Sequence, residues 1–218
     1  MIKPDEKQAR ILLHYHPWSR AAGVRWLLEE LEVPYEVNFV DPHAPGGAPE
    51  EYRTIHPHKK VPAVEVDGQV ITERAAIAIY LADRFSAGVL APSLNDPLRA
   101  SYLRMLVYND AVLDPSVALH FREIDHQPSE YSFGAYQDTM RHLKTHLATH
   151  PFAAGSKFTA ADTQLASSLG YTIHHLHAVP PEPEFLSYLA RVADRPAHLR
   201  AQNLDAELMQ TMSARHAG

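Results

Sequence analysis

The chain has 218 residues, of which 45% are hydrophobic, enough for a buried core in one large domain or two small ones. Its net charge of −6 argues against binding nucleic acid or acidic membranes, since both need a basic surface. With no cysteine, the protein has no disulfide and no thiolate of its own, so thiol chemistry must use a ligand's sulfur. No apolar run approaches the roughly 18 residues of a membrane-spanning helix, and the polar N-terminus lacks a signal-peptide core. We therefore expect a cytoplasmic protein.

The first elements predicted along the chain are a strand, a helix and a second strand. Residues 10–16 form an apolar run of strand length that ends before Pro17. Apolar residues then recur at helical spacing from Val24 to Leu31, and Pro34 ends that helix. Residues 35–40 alternate between large apolar and polar side chains, which indicates a strand. This order predicts a parallel pair of strands joined by a right-handed crossover.

A hairpin is predicted after an irregular segment. Residues 41–57 are rich in proline and glycine, so at most one helical turn is expected there. The stretches 61–66 and 69–71 are rich in β-branched residues. Asp67 and Gly68 between them supply the positive φ angles of a type I′ turn. Two antiparallel strands should result.

A helix is predicted directly after the hairpin, with Thr72 as its cap and Glu73 at the positive end of its dipole. Residues 1–85 would then form a thioredoxin-like α/β domain with the order β-α-β, irregular segment, β-β-α. Residues 86–96 have the composition of a linker. From residue 97 to 218 strand signals vanish, which predicts an all-helical domain.

Pro62 is the residue of the hairpin that needs an explanation. A trans proline is allowed at the first position of a strand. A cis Val61–Pro62 bond would instead expose the backbone amide and carbonyl of Val61 to a peptide ligand, although cis bonds are found in only about 5–6% of X-Pro pairs. The local sequence does not choose between these alternatives.

Several motifs resemble those of the cytosolic, bacterial-type glutathione S-transferases. Lys60-Val61-Pro62, the hairpin and residues 72–82 are similar to the glutathione-binding half of that family. Thr159-x-x-Asp162 resembles the capping box of a central helix in the family's second domain, and Arg195-Pro196-Ala197 resembles the end of a late helix. The resemblance covers nearly the whole chain. It implies a thioredoxin-like domain followed by an all-helical domain, and it makes the cis form of Pro62 the expected one.

The resemblance implies a glutathione transferase, in which the glutathione thiolate attacks a small, mostly apolar electrophile. It also implies a homodimer and a role in detoxification, with glutathione as co-substrate. A free thiol has a pKa of about 8.5, and a hydroxyl donor can lower that pKa so that the thiol ionises near neutral pH. Ser19, the only hydroxyl in the loop after the first strand, is the first candidate, and Tyr15 at the end of that strand is the second. Taken alone, Ser19 is also a common helix cap and Tyr15 a common strand residue.

The resemblance also implies which residues hold glutathione. Glu73 would pair with the γ-glutamyl ammonium, and Lys60 would serve the glycyl carboxylate. Val61, presented by Pro62, would pair its backbone with the cysteinyl residue. Without the resemblance, Lys60 is an exposed lysine and Glu73 is a first-turn acid that stabilises its helix by about 0.3–1 kcal/mol.

Arg74 and Asp110 are the two remaining candidates for binding glutathione. Arg74 stands where the family usually carries serine, and its planar guanidinium could hold a carboxylate through two hydrogen bonds. Asp110 corresponds to a site from which some members reach the glutathione of the neighbouring subunit. Without the resemblance, Arg74 is a solvated surface arginine.

Two other functions stay open from the sequence. One is glutathione-dependent reduction of peroxides or disulfides, which needs no protein cysteine if two glutathiones act in turn. The other is a non-catalytic binding module, which Arg74 in place of serine favours. The chain also has 15 histidines, including His142, His146 and His150 along one helix face. No nearby carboxylate or cysteine completes a metal site there, so no metal is expected.

Overall fold

The computed structural model describes residues 9–216, which divide by their contacts into two compact units. The first unit combines residues 9–85 with residues 193–216, and the second consists of residues 86–192. The strands and helices follow in the order β1 (Ile11–Tyr15), α1 (Ala22–Leu31), β2 (Glu36–Phe39), β3 (Ala63–Val66), β4 (Gln69–Thr72), α2 (Arg74–Ser86), α3 (Arg99–Tyr108), α4 (Asp114–Phe121), α5 (Tyr136–Thr149), α6 (Ala160–His174), α7 (Pro183–Ala193) and α8 (Pro196–His216).

A four-stranded sheet with the order β2–β1–β3–β4 lies in the first unit. Strands β1 and β2 are parallel, as the strand–helix–strand order predicts, and the other two pairings are antiparallel. Asp67 and Gly68 in the hairpin turn have φ angles of 53° and 83°, the signs that a type I′ turn requires. The irregular segment contains one 3₁₀ turn, Glu50–Thr54. The predicted thioredoxin-like fold is confirmed.

The last helix belongs to the first unit because α8 packs against α1. The ring of Trp26 stacks on that of His198 with their centroids 4.1 Å apart. Arg195, just before α8, donates to both carboxylate oxygens of Glu30 at 2.6 and 2.7 Å. By their contacts, the residues of this helix group with the first unit and not with the rest of the helical domain predicted for residues 97–218, since these side chains join the helix to α1.

The second unit contains helices and no β-strand among residues 86–192. Helix α3 continues through a π-helical turn, Asn109–Leu113, into α4, so one long helical path follows residue 98. Residues 86–96, predicted as a linker, group with this unit, and the carbonyl of Leu90 accepts a hydrogen bond from the amide of Ala160 at 2.9 Å. Within the described part of the chain, no helix combines the length and apolar character needed to span a bilayer.

Asp162 fixes the start of α6 and is fully buried, with 0% of its surface exposed. Its Oδ2 accepts hydrogen bonds from the amide and hydroxyl of Thr159 at 2.8 and 3.3 Å. Its Oδ1 accepts from the amide of Ala153 at 2.7 Å and from the hydroxyl of Tyr188 at 3.0 Å. Burial raises the pKa of Asp162 to about 6. The predicted capping box is therefore present, and it also holds the preceding loop and α7.

Candidate functional site

One end of the sheet brings together the segments that carry most of the predicted site. His14 of β1 pairs with Ala63 of β3, which pairs in turn with Thr72 of β4. Strands β1 and β4 end near this level, and β3 begins there. The loop after β1, the Val61–Pro62 bond and the start of α2 therefore share one end of the sheet.

Ser19 lies half-buried in the turn between β1 and α1, next to Trp18, which is 66% exposed. Its hydroxyl donates to the carbonyl of His16 at 2.6 Å and accepts from the amide of Ala21 at 3.0 Å. The second bond closes a local turn on the second amide after Ser19, and Ala21 rather than Ser19 is the N-cap residue of α1. The same hydroxyl lies just before the first turn of α1, where the helix dipole favours an anion. To serve a ligand, its hydrogen must turn away from His16.

Tyr15 is fully buried, with 0% of its surface exposed. Its hydroxyl donates to the carboxylate of Asp205, whose two oxygens lie 2.7 and 2.8 Å away. Arg25 donates to the same carboxylate at 2.7 Å, and its guanidinium lies 5.0 Å from the centre of the Tyr15 ring. Burial and the negative charge of Asp205 raise the pKa of Tyr15 well above its usual value. This geometry ties β1 to α8 within the first unit.

The Val61–Pro62 peptide bond is cis, as the resemblance predicts. No hydrogen bond to another residue of the range 9–216 engages the amide or the carbonyl of Val61. The neighbouring Lys60 has an exposed side chain, and its carbonyl accepts from the hydroxyl of Tyr52 at 3.2 Å. Both backbone groups of Val61 are thus available to an extended peptide, which could pair with them as a strand does.

Glu73 connects β4 to α2 with a φ of 66°, a region that residues other than glycine seldom adopt. Its carbonyl accepts from the amide of Ile77 at 2.9 Å, so Glu73 occupies the cap position of α2. The prediction that Thr72 is the cap was wrong, because Thr72 is still paired with Ala63 in the sheet. An exposed carboxylate on such a backbone, at the start of a helix, is a pattern found at binding sites. Arg74, the first residue of α2, is buried.

His56 is a residue of this region that the sequence analysis did not single out. It is only 5% exposed, and its Nδ1 accepts a hydrogen bond from the amide of His58 at 3.2 Å. Burial lowers the pKa of His56, against a smaller opposite effect of Glu73. The sequence does contain a signal for His56. In His56-Pro57-His58, which directly precedes Lys59, the first histidine has the spacing of a side chain that closes a turn on the second amide after it.

Asp110 belongs to the second unit, in the π-helical turn Asn109–Leu113, whereas the other predicted site residues belong to the first. Its Oδ1 lies 3.3 Å from the amide nitrogen of the Asn109 side chain, which donates to it. Of the histidines on α5, His146 bonds through Nε2 to the carbonyl of Ala153 at 2.8 Å. Across residues 9–216, no group of three or more histidine, aspartate or glutamate side chains is arranged to hold a metal ion.

Several known proteins similar to this chain carry the name glutathione S-transferase. A family model described as the N-terminal domain of glutathione S-transferase matches residues 10–83. Glutathione S-transferase 3 of Schizosaccharomyces pombe is 30% identical over 206 residues, which are 86% of this chain and 84% of that protein. The chain belongs to the glutathione S-transferase family.

Solved structures of the glutathione S-transferase family agree with this assignment. A glutathione transferase from Methylococcus capsulatus is 25% identical, with a TM-score of 0.75 and coverage of 90% of this chain and 98% of that one. A theta-class glutathione S-transferase from Xanthomonas axonopodis pv. citri, solved with glutathione bound, is 24% identical with a TM-score of 0.69, covering 88% and 96%. The second likeness concerns the fold alone. The names of these relatives support a transferase.

Proposed function

We propose that the protein is a glutathione transferase that joins the sulfur of glutathione to a small, mostly apolar electrophile. The observation that carries this proposal is the convergence of three features at one end of the sheet. They are the Ser19 turn, the unengaged backbone of Val61 and the carboxylate of Glu73. Each feature matches a different part of glutathione, namely the thiol, the peptide backbone and the γ-glutamyl ammonium.

Ser19 is the proposed activator of the thiol. Its hydroxyl would donate to the sulfur at the start of α1, and both the hydrogen bond and the helix dipole stabilise the thiolate. The thiolate then forms a carbon–sulfur bond with the electrophile. In a substitution the leaving group departs with its electron pair, and in an addition a proton from water completes the product. Tyr15 is less suited to this role because its hydroxyl is buried and donates to Asp205.

Five residues are proposed to hold the tripeptide. Val61 pairs its amide and carbonyl with the cysteinyl residue, Lys60 binds the glycyl carboxylate and Glu73 binds the ammonium. Arg74, which has the donors for a carboxylate, is proposed as a further ligand of the glutathione carboxylates. Asp110 is proposed to contact the glutathione of the neighbouring subunit in a homodimer.

The setting proposed for this reaction is cytoplasmic detoxification by a homodimer, with glutathione as co-substrate. The support for glutathione is the name of the S. pombe relative, which covers most of the chain. We also propose that the thioredoxin-like domain extends to residue 85, since the contacts divide the chain between residues 85 and 86.

The proposed function is tested by retention on immobilised glutathione together with two turnover assays. A chloro-aromatic electrophile reports conjugation, and an organic hydroperoxide reports reduction. We expect retention and a higher kcat/KM for the chloro-aromatic compound. Retention without turnover in either assay would indicate a binding module, and faster reduction than conjugation would indicate a peroxidase. A protein that neither binds glutathione nor gains thermal stability with it contradicts the proposal.

Replacing Glu73 by glutamine should raise the KM for glutathione about tenfold and leave kcat nearly unchanged, because a charge-assisted hydrogen bond contributes about 1.5–3 kcal/mol to binding. Steady-state kinetics with varied glutathione provide the measurement. Glu32→Gln is the matched control. Glu32 is also exposed and has a φ of 52°, but it is the C-cap residue of α1, at the opposite end of that helix from Ser19. Equal KM values for the two variants would show that Glu73 does not contact glutathione.

A further inference from the structure

A tight turn precedes the proposed glutathione contacts, and His56 closes it twice. The carbonyl of His56 accepts from the amide of Lys59 at 2.9 Å, and its ring nitrogen Nδ1 accepts from the amide of His58 at 3.2 Å. Lys59 has a φ of 53°, so the chain reverses sharply here. The amide of His56 donates to the carbonyl of Tyr52 at 2.9 Å, and the hydroxyl of Tyr52 donates to the carbonyl of Lys60. The backbone of Lys60 therefore depends on this turn.

The hydrogen bond from the amide of His58 to the ring of His56 determines the protonation state of that ring. Because Nδ1 accepts the amide hydrogen of His58, it carries no hydrogen, and the neutral ring holds its hydrogen on Nε2. An imidazolium ring has hydrogens on both nitrogens and accepts none. Protonation would thus turn the bond between His56 and His58 into a contact between two N–H groups, and the turn would have to rearrange.

We propose that His56 is a positioning residue for glutathione, whose neutral ring holds Lys60 and Val61 in their binding arrangement and whose protonated ring releases them. This inference rests on the proposed function, since Lys60 and Val61 are its proposed contacts. Binding should therefore weaken in acid. Between pH 5 and pH 7 the carboxylates and the ammonium of glutathione change charge very little, so the ligand contributes little to that dependence.

Three charged or titratable side chains act on His56. Glu73 favours its protonated form, whereas His58 and Lys60 oppose it. The ring of His58 lies edge-on to that of His56, with the centroids 6.0 Å apart. Burial is the largest effect and lowers the pKa of His56 below its usual 6.5. The neutral ring therefore predominates at pH 7, and protonating it requires acid.

The test measures the binding of S-methylglutathione, which has no ionisable thiol, by calorimetry at pH 7.0 and pH 5.0. The variant His56→Asn places an amide oxygen where Nδ1 lies and can accept the second amide after it without titrating. The variant His56→Leu has no acceptor. We expect wild type to bind about fivefold more weakly at pH 5.0, as for the loss of one hydrogen bond. His56→Asn should bind well at both pH values, and His56→Leu weakly at both.

Two controls keep the outcomes distinct. His58→Asn should keep the pH dependence of wild type, because its side chain does not close the turn. Amide exchange, corrected for the intrinsic effect of pH, should show His58 protected at pH 7.0 in wild type and in His56→Asn, with that protection lost at pH 5.0 in wild type only. An equal loss of affinity at pH 5.0 in wild type and His56→Asn would overturn the inference, even if His56→Leu does not fold. If neither wild type nor any variant binds S-methylglutathione at pH 7.0, both the proposed function and the inference about His56 are overturned.

Discussion

Replacing Ser19 by alanine is expected to lower kcat/KM for conjugation on the order of 10²-fold, which is the usual effect of removing one donor to a developing or bound anion. The hydroxyl is the donor at the start of α1, and alanine leaves the thiolate with the helix dipole alone. The pH profile of kcat/KM should shift at the same time, because the pKa of bound glutathione moves back toward about 8.5. Steady-state kinetics from pH 5.5 to pH 9 measure both effects.

Two variants separate activation of the thiol from stabilisation of the fold. Ser19→Thr keeps the hydroxyl and should recover most of the activity. Alanine also removes the acceptor of the hydrogen bond from the amide of Ala21 and should lose about 1 kcal/mol of stability. Tyr15→Phe should lower the free energy of unfolding by about 1 kcal/mol, because the hydrogen bond to Asp205 is lost. The pH profile of kcat/KM should not change. Full activity in Ser19→Ala with loss in Tyr15→Phe would reverse the assignment.

Replacing Asp162 by alanine should lower the free energy of unfolding by about 4 kcal/mol. The carboxylate accepts four hydrogen bonds inside the second unit, and its removal leaves the buried amides of Ala153 and Thr159 and the hydroxyl of Tyr188 without that acceptor. Each buried group without its acceptor costs about 1–3 kcal/mol, with partial relief as the site relaxes. Urea unfolding followed by circular dichroism measures the loss.

The control for Asp162 is Asp138, which is also the third residue of its helix. Asp138 has the same relation to the helix dipole, but its side chain is exposed and its Oδ1 pairs with the exposed guanidinium of Arg141 at 2.8 Å. Asp138→Ala should therefore unfold close to wild type. Similar losses in both variants would mean that the dipole, and not the buried hydrogen bonds, accounts for the effect of Asp162.

The elements of the first unit followed closely from the sequence because their signals are local. The type I′ turn needs only Asp67 and Gly68, and the strand–helix–strand order is enough for the parallel pair. The cap of α2 was misplaced because its position depends on pairing with another strand. Thr72 has the side chain of a cap, but its backbone remains in the sheet opposite Ala63, and the helix begins after Glu73.

The candidate site could be predicted only in part from the sequence, because some of its contacts join residues that are far apart along the chain. The hydroxyl of Tyr15 meets Asp205, 190 residues away, and no local pattern around either residue indicates that bond. The cis form of Pro62 was chosen by the resemblance and not by neighbouring residues. The binding roles of Lys60, Glu73 and the other candidates stay predictions.

The packing of α8 on α1 bears on how the protein is made. Residues 193–216 complete the first unit, yet they leave the ribosome only after residues 86–192 have been synthesised. Until then Arg25 lacks Asp205, and a charge buried without its partner is strongly destabilising. The thioredoxin-like half therefore cannot reach its final stability during its own synthesis, and the helical half has time to fold before the first unit closes.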